Sequence, residues 1–290
     1  MDLSPDLSPD LSPLPAVLVE PVVRATLVED LGRAGDITTD AIVPPGHRSR
    51  MDLVARQGGV VAGLDCARLA FRLMDEAIAF IPEVQDGAKV APGTRIARVE
   101  GSTRGILTGE RTALNLMCRL SGVASATAGL VAAVKGHKAH IVCTRKTTPG
   151  LRGLEKYAVR AGGGSNHRFG LDDAVLVKDN HIAIAGSVAE AVKRVRGKVG
   201  HLVKVEVEVD TLDQLAELIP LGVDAVLLDN MSPQTLAEAV RLVDGRMLTE
   251  ASGRVSRESA PAIAAAGVDL ISVGWLTHSA PILDIGLDAV

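Results

Sequence analysis

The 290-residue chain predicts an α/β fold, a barrel preceded by a smaller mixed α/β region. Three observations carry the prediction. In the second half, apolar strand candidates at residues 140–144, 174–178, 203–209, 225–228, 247–250 and 270–273 are mostly separated by helix-length segments, such as 212–218, 233–243 and 256–266. Repeated strand–helix units imply a parallel sheet with buried strands. So many repeats favour a closed or nearly closed barrel over an open doubly wound sheet. The second observation is that no Gly-x-Gly-x-x-Gly follows a first strand, which weakens the dinucleotide-binding alternative. The third is composition: 47% hydrophobic and 23% charged is ordinary for a globular chain, and with 2% aromatics the core must be Val, Leu, Ile and Ala.

The first half reads as shorter pieces. Asp-Leu-Ser-Pro occurs three times from Asp2 to Pro13. Proline every fourth residue prevents a stable helix, so residues 1–14 read as a disordered tail. A helical pattern covers about 15–31, and 32–39 reads as a loop. Strands are expected at 51–56 and 60–62, and a helix at 64–76. Residues 86–100 contain Gly-x-x-Val-x-x-Gly-x-x-Ile, two short strands with turn glycines. This stretch resembles a lipoyl-type segment without a presented lysine, and is read as scaffold. Two helices are expected next, at 107–120 and 124–135.

Charge narrows the function. A net charge of −4 supplies no bulk positive field for nucleic acid or an anionic membrane. The few aromatics argue against a base-stacking platform. Cys66, Cys118 and Cys143 are scattered without Cys-x-x-Cys spacing, which suggests reduced thiols in a cytoplasmic protein. No apolar run is expected to span a bilayer, and the N-terminus lacks the pattern of a secretory signal.

In such barrels the active site gathers at the C-terminal ends of the strands. The six strand candidates end in, or carry, Thr144-Arg145-Lys146, Lys178-Asp179-Asn180-His181, Glu206 with Glu208, Asp229-Asn230, Glu250-Ala251-Ser252-Gly253 and Ser272-Val273-Gly274. Each group has a local explanation. Arg145 and Lys146 can be a surface pair, and the two glutamates, which share a face, can be structural partners of lysines. Asp229 can cap a helix, although Ser232 before Pro233 is better spaced for that. His167 can be a satisfied core histidine. Six polar strand ends in series exceed what these explanations cover, and the Arg/Lys concentration points to small polyanionic substrates. Gly162-Gly163-Gly164 costs conformational entropy, allows close approach of backbone to a ligand, and delivers Asn166, His167 and Arg168. Arg111 lies on the apolar stripe of the 107–120 helix. Either it snorkels or the stripe faces another subunit's site, and the residues alone leave both open.

The runs Thr144-Arg-Lys-Thr-Thr-Pro-Gly-Leu-Arg152, Gly162-Gly-Gly-Ser-Asn-His-Arg168, Lys178-Asp-Asn-His-Ile182 and Leu276-Thr-His-Ser279 resemble quinolinate phosphoribosyltransferase. Glu110-Arg-Thr-Ala-Leu-Asn115 and Leu120-Ser-Gly-Val123 match as well, and the resemblance extends from about residue 29 to 288. It implies an incomplete, about seven-stranded α/β barrel at 121–275 and an N-terminal mixed α/β domain at 15–120 completed by 276–290. Only six of those strands are identified above. The resemblance further implies a homodimer in which Arg111 reaches the partner's site. The implied reaction joins quinolinate and phosphoribosyl pyrophosphate, with Mg2+, to give nicotinate mononucleotide, pyrophosphate and CO2.

The family's motifs carry roles onto matching residues. Quinolinate is expected against Arg111, Arg145, His167, Arg168 and Lys178, since arginine binds planar carboxylates in a fork, and Thr144 is expected among the substrate-binding residues. Lys146 and Lys178 would hold the charge of phosphoribosyl pyrophosphate. Glu208 and Asp229 would face its ribose and the metal, Glu208 stabilising positive charge at the ribose C1. These four are the expected catalytic set. Ser252, Gly253, Arg254, Ser272, Val273 and Gly274 would bind phosphate, largely through backbone N–H groups. Two residues depart from the pattern. Cys143 replaces an Asp that could orient Arg145, and Arg254 stands where a second glycine often follows Ser-Gly. Two rivals remain at this point: nicotinate phosphoribosyltransferase, and a non-catalytic sugar-phosphate binder on the same barrel.

Overall fold

The computed structural model describes residues 11–290. Most of the Asp-Leu-Ser-Pro repeat, and with it most of the expected disordered tail, lies outside the described residues. The chain runs through α1 (Ala16–Leu31), α2 (Ile37–Ile42), β1 (Arg48–Ala55), β2 (Gly59–Val60), α3 (Leu64–Met74), β3 (Ala79–Pro82), β4 (Lys89–Val90), β5 (Arg95–Ser102) and α4 (Thr103–Ala133). It continues through β6 (His140–Val142), α5 (Arg152–Ala161), β7 (Val175–Val177), α6 (Asp179–Ala185), α7 (Val188–Arg196), β8 (Val205–Val209) and α8 (Leu212–Leu218). Last come β9 (Ala225–Asp229), α9 (Pro233–Val243), β10 (Leu248–Ser252), α10 (Ala260–Ala265), β11 (Leu270–Ser272) and β12 (Ile285–Ala289). Two compact units result. The first takes the described residues through Ala128 together with Thr147–Gly163 and Leu276–Val290; the second takes Gly129–Lys146 and Gly164–Trp275.

The first unit is built on an antiparallel sheet in the order β12-β1-β5-β3. Met51 pairs with Ala289 on one side and Val99 on the other. Along β1, Met51, Leu53 and Ala55 are buried, as period-two alternation requires. On the opposite face Asp52 accepts from Arg95 and Arg98, each at 3.2 Å. β3, not anticipated from the sequence, is a four-residue edge strand ending at Pro82, where a missing N–H costs no ladder bond.

Three expectations are corrected here. Residues 32–39 are not all loop: Asp36 accepts the Thr39 N–H at 2.9 Å and caps α2. The two helices expected at 107–120 and 124–135 are one 31-residue helix, α4. Gly122 does not break it. A Cβ there would collide with the Pro281 carbonyl, so this glycine exists for close approach of the C-terminal return. Joined in this way, α4 is long and apolar enough to cross a membrane by length and composition, contrary to the sequence expectation, yet 56% of its most apolar window is buried inside the protein.

The second unit is a parallel sheet in the order β6-β11-β10-β9-β8-β7. The strand uncounted from sequence is reduced to one residue. Ser165 forms a lone parallel bridge to Val142, donating to the Ile141 carbonyl at 2.9 Å and accepting from Cys143 at 3.2 Å. Three preceding glycines give no side-chain packing to extend it. The layout is that of an incomplete α/β barrel. Between β7 and β8 stand α6 and α7, which the sequence reading left unassigned. Ser187 caps α7 by accepting the Glu190 N–H at 3.1 Å, an Ser-x-x-Glu signal present in the sequence. Ser232, not Asp229, caps α9, accepting from the Thr235 N–H at 3.1 Å.

Candidate active site

Parallel pairing brings the C-terminal ends of all six strands of the second unit to one edge of its sheet. At the end of β6, Thr144 Oγ1 accepts the Lys146 N–H at 3.0 Å. The Lys146 side chain lies against Gly274, just beyond β11. Cys143 is fully buried, with its thiol 3.3 Å from Asn166 Oδ1. Arg145 Nε is buried and has no hydrogen-bond partner among the described residues.

Arg168 lies close enough to Arg145 for their charges to interact. Burial, then repulsion from Arg145, lowers the Arg168 pKa, opposed by Glu206 and Asp173. One guanidinium N–H donates to the Ala174 carbonyl at 3.0 Å. Two guanidinium groups whose charges feel one another in this unit suit a substrate with paired carboxylates.

Glu206 and Glu208 share a face of β8 but have different partners. Lys178 Nζ donates to Glu208 at 2.7 Å, while Glu206 Oε2 lies 2.9 Å from His167 Nε2. Glu250 Oε1 is 3.7 Å from the same nitrogen. Burial raises the Glu250 pKa to about 7, Glu206 adds to the rise, and His167 opposes it. The sequence reading quoted Glu206 and Glu250 at strand ends and gave neither a role in the site. Charged residues inside otherwise apolar strands were the available signal. His181 is a local cap: its Nδ1 accepts the Lys178 N–H at 2.9 Å.

β9 and β10 interlock at their ends. Asp229 pairs in register with Ser252, and the Asn230 N–H donates to the Ser252 carbonyl at 2.9 Å. Gly253, at φ +109°, is required because a Cβ would strike the Asn230 side chain. Arg254 follows at φ +45°, a backbone that favours glycine. Its exposed side chain makes no hydrogen bond or ion pair among the described residues. In the first unit, Arg111 and Asn115 form an exposed patch on α4, one turn apart.

Comparison with known proteins shows the family. The family model for the C-terminal domain of quinolinate phosphoribosyl transferase matches residues 123–288, and that for its N-terminal domain matches 36–121. A nicotinate-nucleotide pyrophosphorylase (carboxylating) of Mycobacterium leprae is 47% identical over 274 residues, 92% of this chain and 95% of that protein. A probable enzyme of the same name from Bacillus subtilis is 45% identical over 262 residues, 90% of each chain. The crystal structure of NadC from Streptococcus pyogenes superposes with a TM-score of 0.92 at 39% identity, covering 96% of this chain and 99% of that one.

Proposed function

The chain belongs to the quinolinate phosphoribosyltransferase family, and from that premise we propose how its residues divide the work of the family reaction. The reaction transfers a phosphoribosyl group from phosphoribosyl pyrophosphate to quinolinate with loss of CO2, giving nicotinate mononucleotide for NAD biosynthesis. The observation that supports the division is a buried, unpartnered Arg145 Nε together with an Arg168 whose charge interacts with that of Arg145, two guanidinium groups suited to two adjacent carboxylates.

In this reading Arg145 and Arg168 grip quinolinate, with Thr144, His167 and Lys178 beside it. The Lys178–Glu208 ion pair holds both side chains ready before substrate arrives. When Lys178 turns to substrate anions, the Glu208 carboxylate is released toward the ribose. There it stabilises positive charge as the bond to pyrophosphate breaks and the pyridine nitrogen attacks. Lys146 takes pyrophosphate charge. The Ser252-Gly253-Arg254 and Ser272-Val273-Gly274 turns take phosphate. No protein nucleophile is needed.

Mg2+ fits Glu208 and Asp229 as an ion carried largely by substrate. They are hard oxygen donors on adjacent strands, and such ions commonly use one or two carboxylates plus phosphates. When bound, the ion would neutralise pyrophosphate charge. Activity in a chelator that strips Mg2+ would overturn this assignment.

One assay tests the reading: quinolinate or nicotinate, each with phosphoribosyl pyrophosphate and Mg2+, following CO2 and mononucleotide. Quinolinate should turn over and nicotinate should not. Arg145→Ala removes two charge-assisted bonds worth roughly 1.5–3 kcal/mol each, so kcat/KM for quinolinate should fall by about two to four orders of magnitude. Unchanged turnover in that variant sinks the placement.

We also propose that Arg111 serves the site of a second copy in a homodimer, supported by its exposure on α4. Mixing Arg111→Ala subunits with Lys178→Ala subunits should restore one working site per mixed dimer. No recovery despite subunit exchange argues against it. Three buried thiols support a reducing, cytoplasmic setting, which cell fractionation checks.

A further inference from the structure

The cationic side chains of the second unit have buried acidic neighbours that the roles above leave unused. Glu206 on β8 is 8% exposed, and Glu250 on β10 is 1% exposed. Both approach one ring nitrogen, His167 Nε2, at 2.9 and 3.7 Å. The other nitrogen, Nδ1, accepts the backbone N–H of Arg168 at 2.8 Å. With Nδ1 accepting, the ring proton sits on Nε2 and faces the two carboxyl groups. A continuous line of contacts therefore joins Glu250 and Glu206, through the ring, to the main chain of Arg168.

Arg168 needs such an anchor. Its guanidinium feels the like charge of Arg145, and like charges in a partly buried place repel. The segment that carries it begins with Gly162-Gly163-Gly164, which impose little conformational preference. Ser165 is held by its bridge to β6 and the Arg168 side chain by the Ala174 carbonyl at 3.0 Å, which leaves the main chain between them to be fixed. Glu206 and His167 fix it. Glu250 Oε1, buried without a hydrogen-bond partner, is an under-satisfied group of the kind retained near functional sites.

We propose that Glu206 and Glu250 are positioning residues for dicarboxylate recognition: through His167 they fix the main chain at Arg168, keeping the guanidinium groups of Arg145 and Arg168 together for the two adjacent carboxylates. The inference rests on the reading of quinolinate as substrate. Neither carboxyl group touches substrate. Their effect is on quinolinate binding, and phosphoribosyl pyrophosphate should be indifferent to them.

The test uses Glu206→Gln and Glu250→Gln in the full chain, varying each substrate separately and recording thermal melting. Wild type must turn over quinolinate; if it does not, the functional reading fails and this inference is not what failed. Loss of an outer-shell partner commonly costs about 10–100-fold, so KM for quinolinate should rise about tenfold or more in Glu206→Gln. KM for phosphoribosyl pyrophosphate should stay within about twofold of wild type, because that loss is specific to the groups the partner orients. Inhibition by phthalate, a dicarboxylate without the ring nitrogen, should weaken in parallel. Unchanged quinolinate KM in both variants overturns the proposal. So does an equal rise in both KM values, which would be general loosening. Should Glu206→Gln fail to fold, Glu250→Gln carries the same comparison.

Discussion

Glu155 in the first unit and Glu250 in the second are both buried, at 0% and 1% exposure, yet their partners are opposite in kind. Glu155 Oε1 accepts from Arg119 at 2.8 and 3.2 Å and from the Thr148 hydroxyl at 2.7 Å, while Oε2 accepts the Thr148 N–H at 2.9 Å. Arg119 also donates to the Thr277 and Ala280 carbonyls at 2.8 and 2.9 Å. This network ties α4, the 147–163 segment and the C-terminal return together within one unit. Glu250 instead meets another carboxylate and a histidine, and one of its oxygens has no hydrogen-bond partner. A buried charge met by an opposite charge and enough donors is a structural tie. A buried carboxyl with an unpartnered oxygen beside another carboxylate is a cost to the fold.

The largest expected effect tests the tie. Glu155→Ala leaves the Arg119 guanidinium without its counter-charge, which should cost about 3–5 kcal/mol in denaturant unfolding. A loss below about 1 kcal/mol would put it among weak exposed pairs and erase the contrast.

The next effect concerns pH. The Glu250 pKa is raised in the fold from an ordinary 4.5 to about 7, so the fold favours the neutral form. The ionisation penalty is absent below pH 4.5, grows as pH rises toward 7, and is full above that. The unfolding free energy, and with it the melting temperature, should therefore fall across this window, the former by an amount on the order of 2–4 kcal/mol. Glu250→Gln should flatten that slope. A slope that persists unchanged in the variant assigns it to other groups.

The smallest effect lies at Arg254. A non-glycine residue in left-handed backbone costs roughly 1–2 kcal/mol, so Arg254→Gly should stabilise the protein by about 1 kcal/mol. If the guanidinium also contacts phosphate, KM for phosphoribosyl pyrophosphate rises in the same variant. A less stable Arg254→Gly protein rules out relief of strain.

Much of the barrel was legible because its signals are local. Apolar runs marked six strands to within a few residues, and Ser232 before Pro233 marked the start of α9. The polar strand ends stood out because a buried parallel strand has no other use for charge. Other features were hidden for physical reasons. Gly122 looks like a helix break until Pro281 is seen against it. β12 is a short run that becomes a strand only by pairing with β1, more than 200 residues away in the chain. Ser165 could not be read as a strand, because a single bridge has no periodicity.

The sequence by itself determined the repeating strand–helix units and the residue types at each strand end, since both follow from hydrophobic periodicity and side-chain chemistry within a few positions. Only the tertiary structure decided that Glu208 meets Lys178 while Glu206 meets His167 and Glu250. The two glutamates are equivalent by spacing along β8. Their partners come from segments about 30 to 44 residues distant, and which of these arrive at each glutamate depends on strand register and on where the glycine-rich segment crosses.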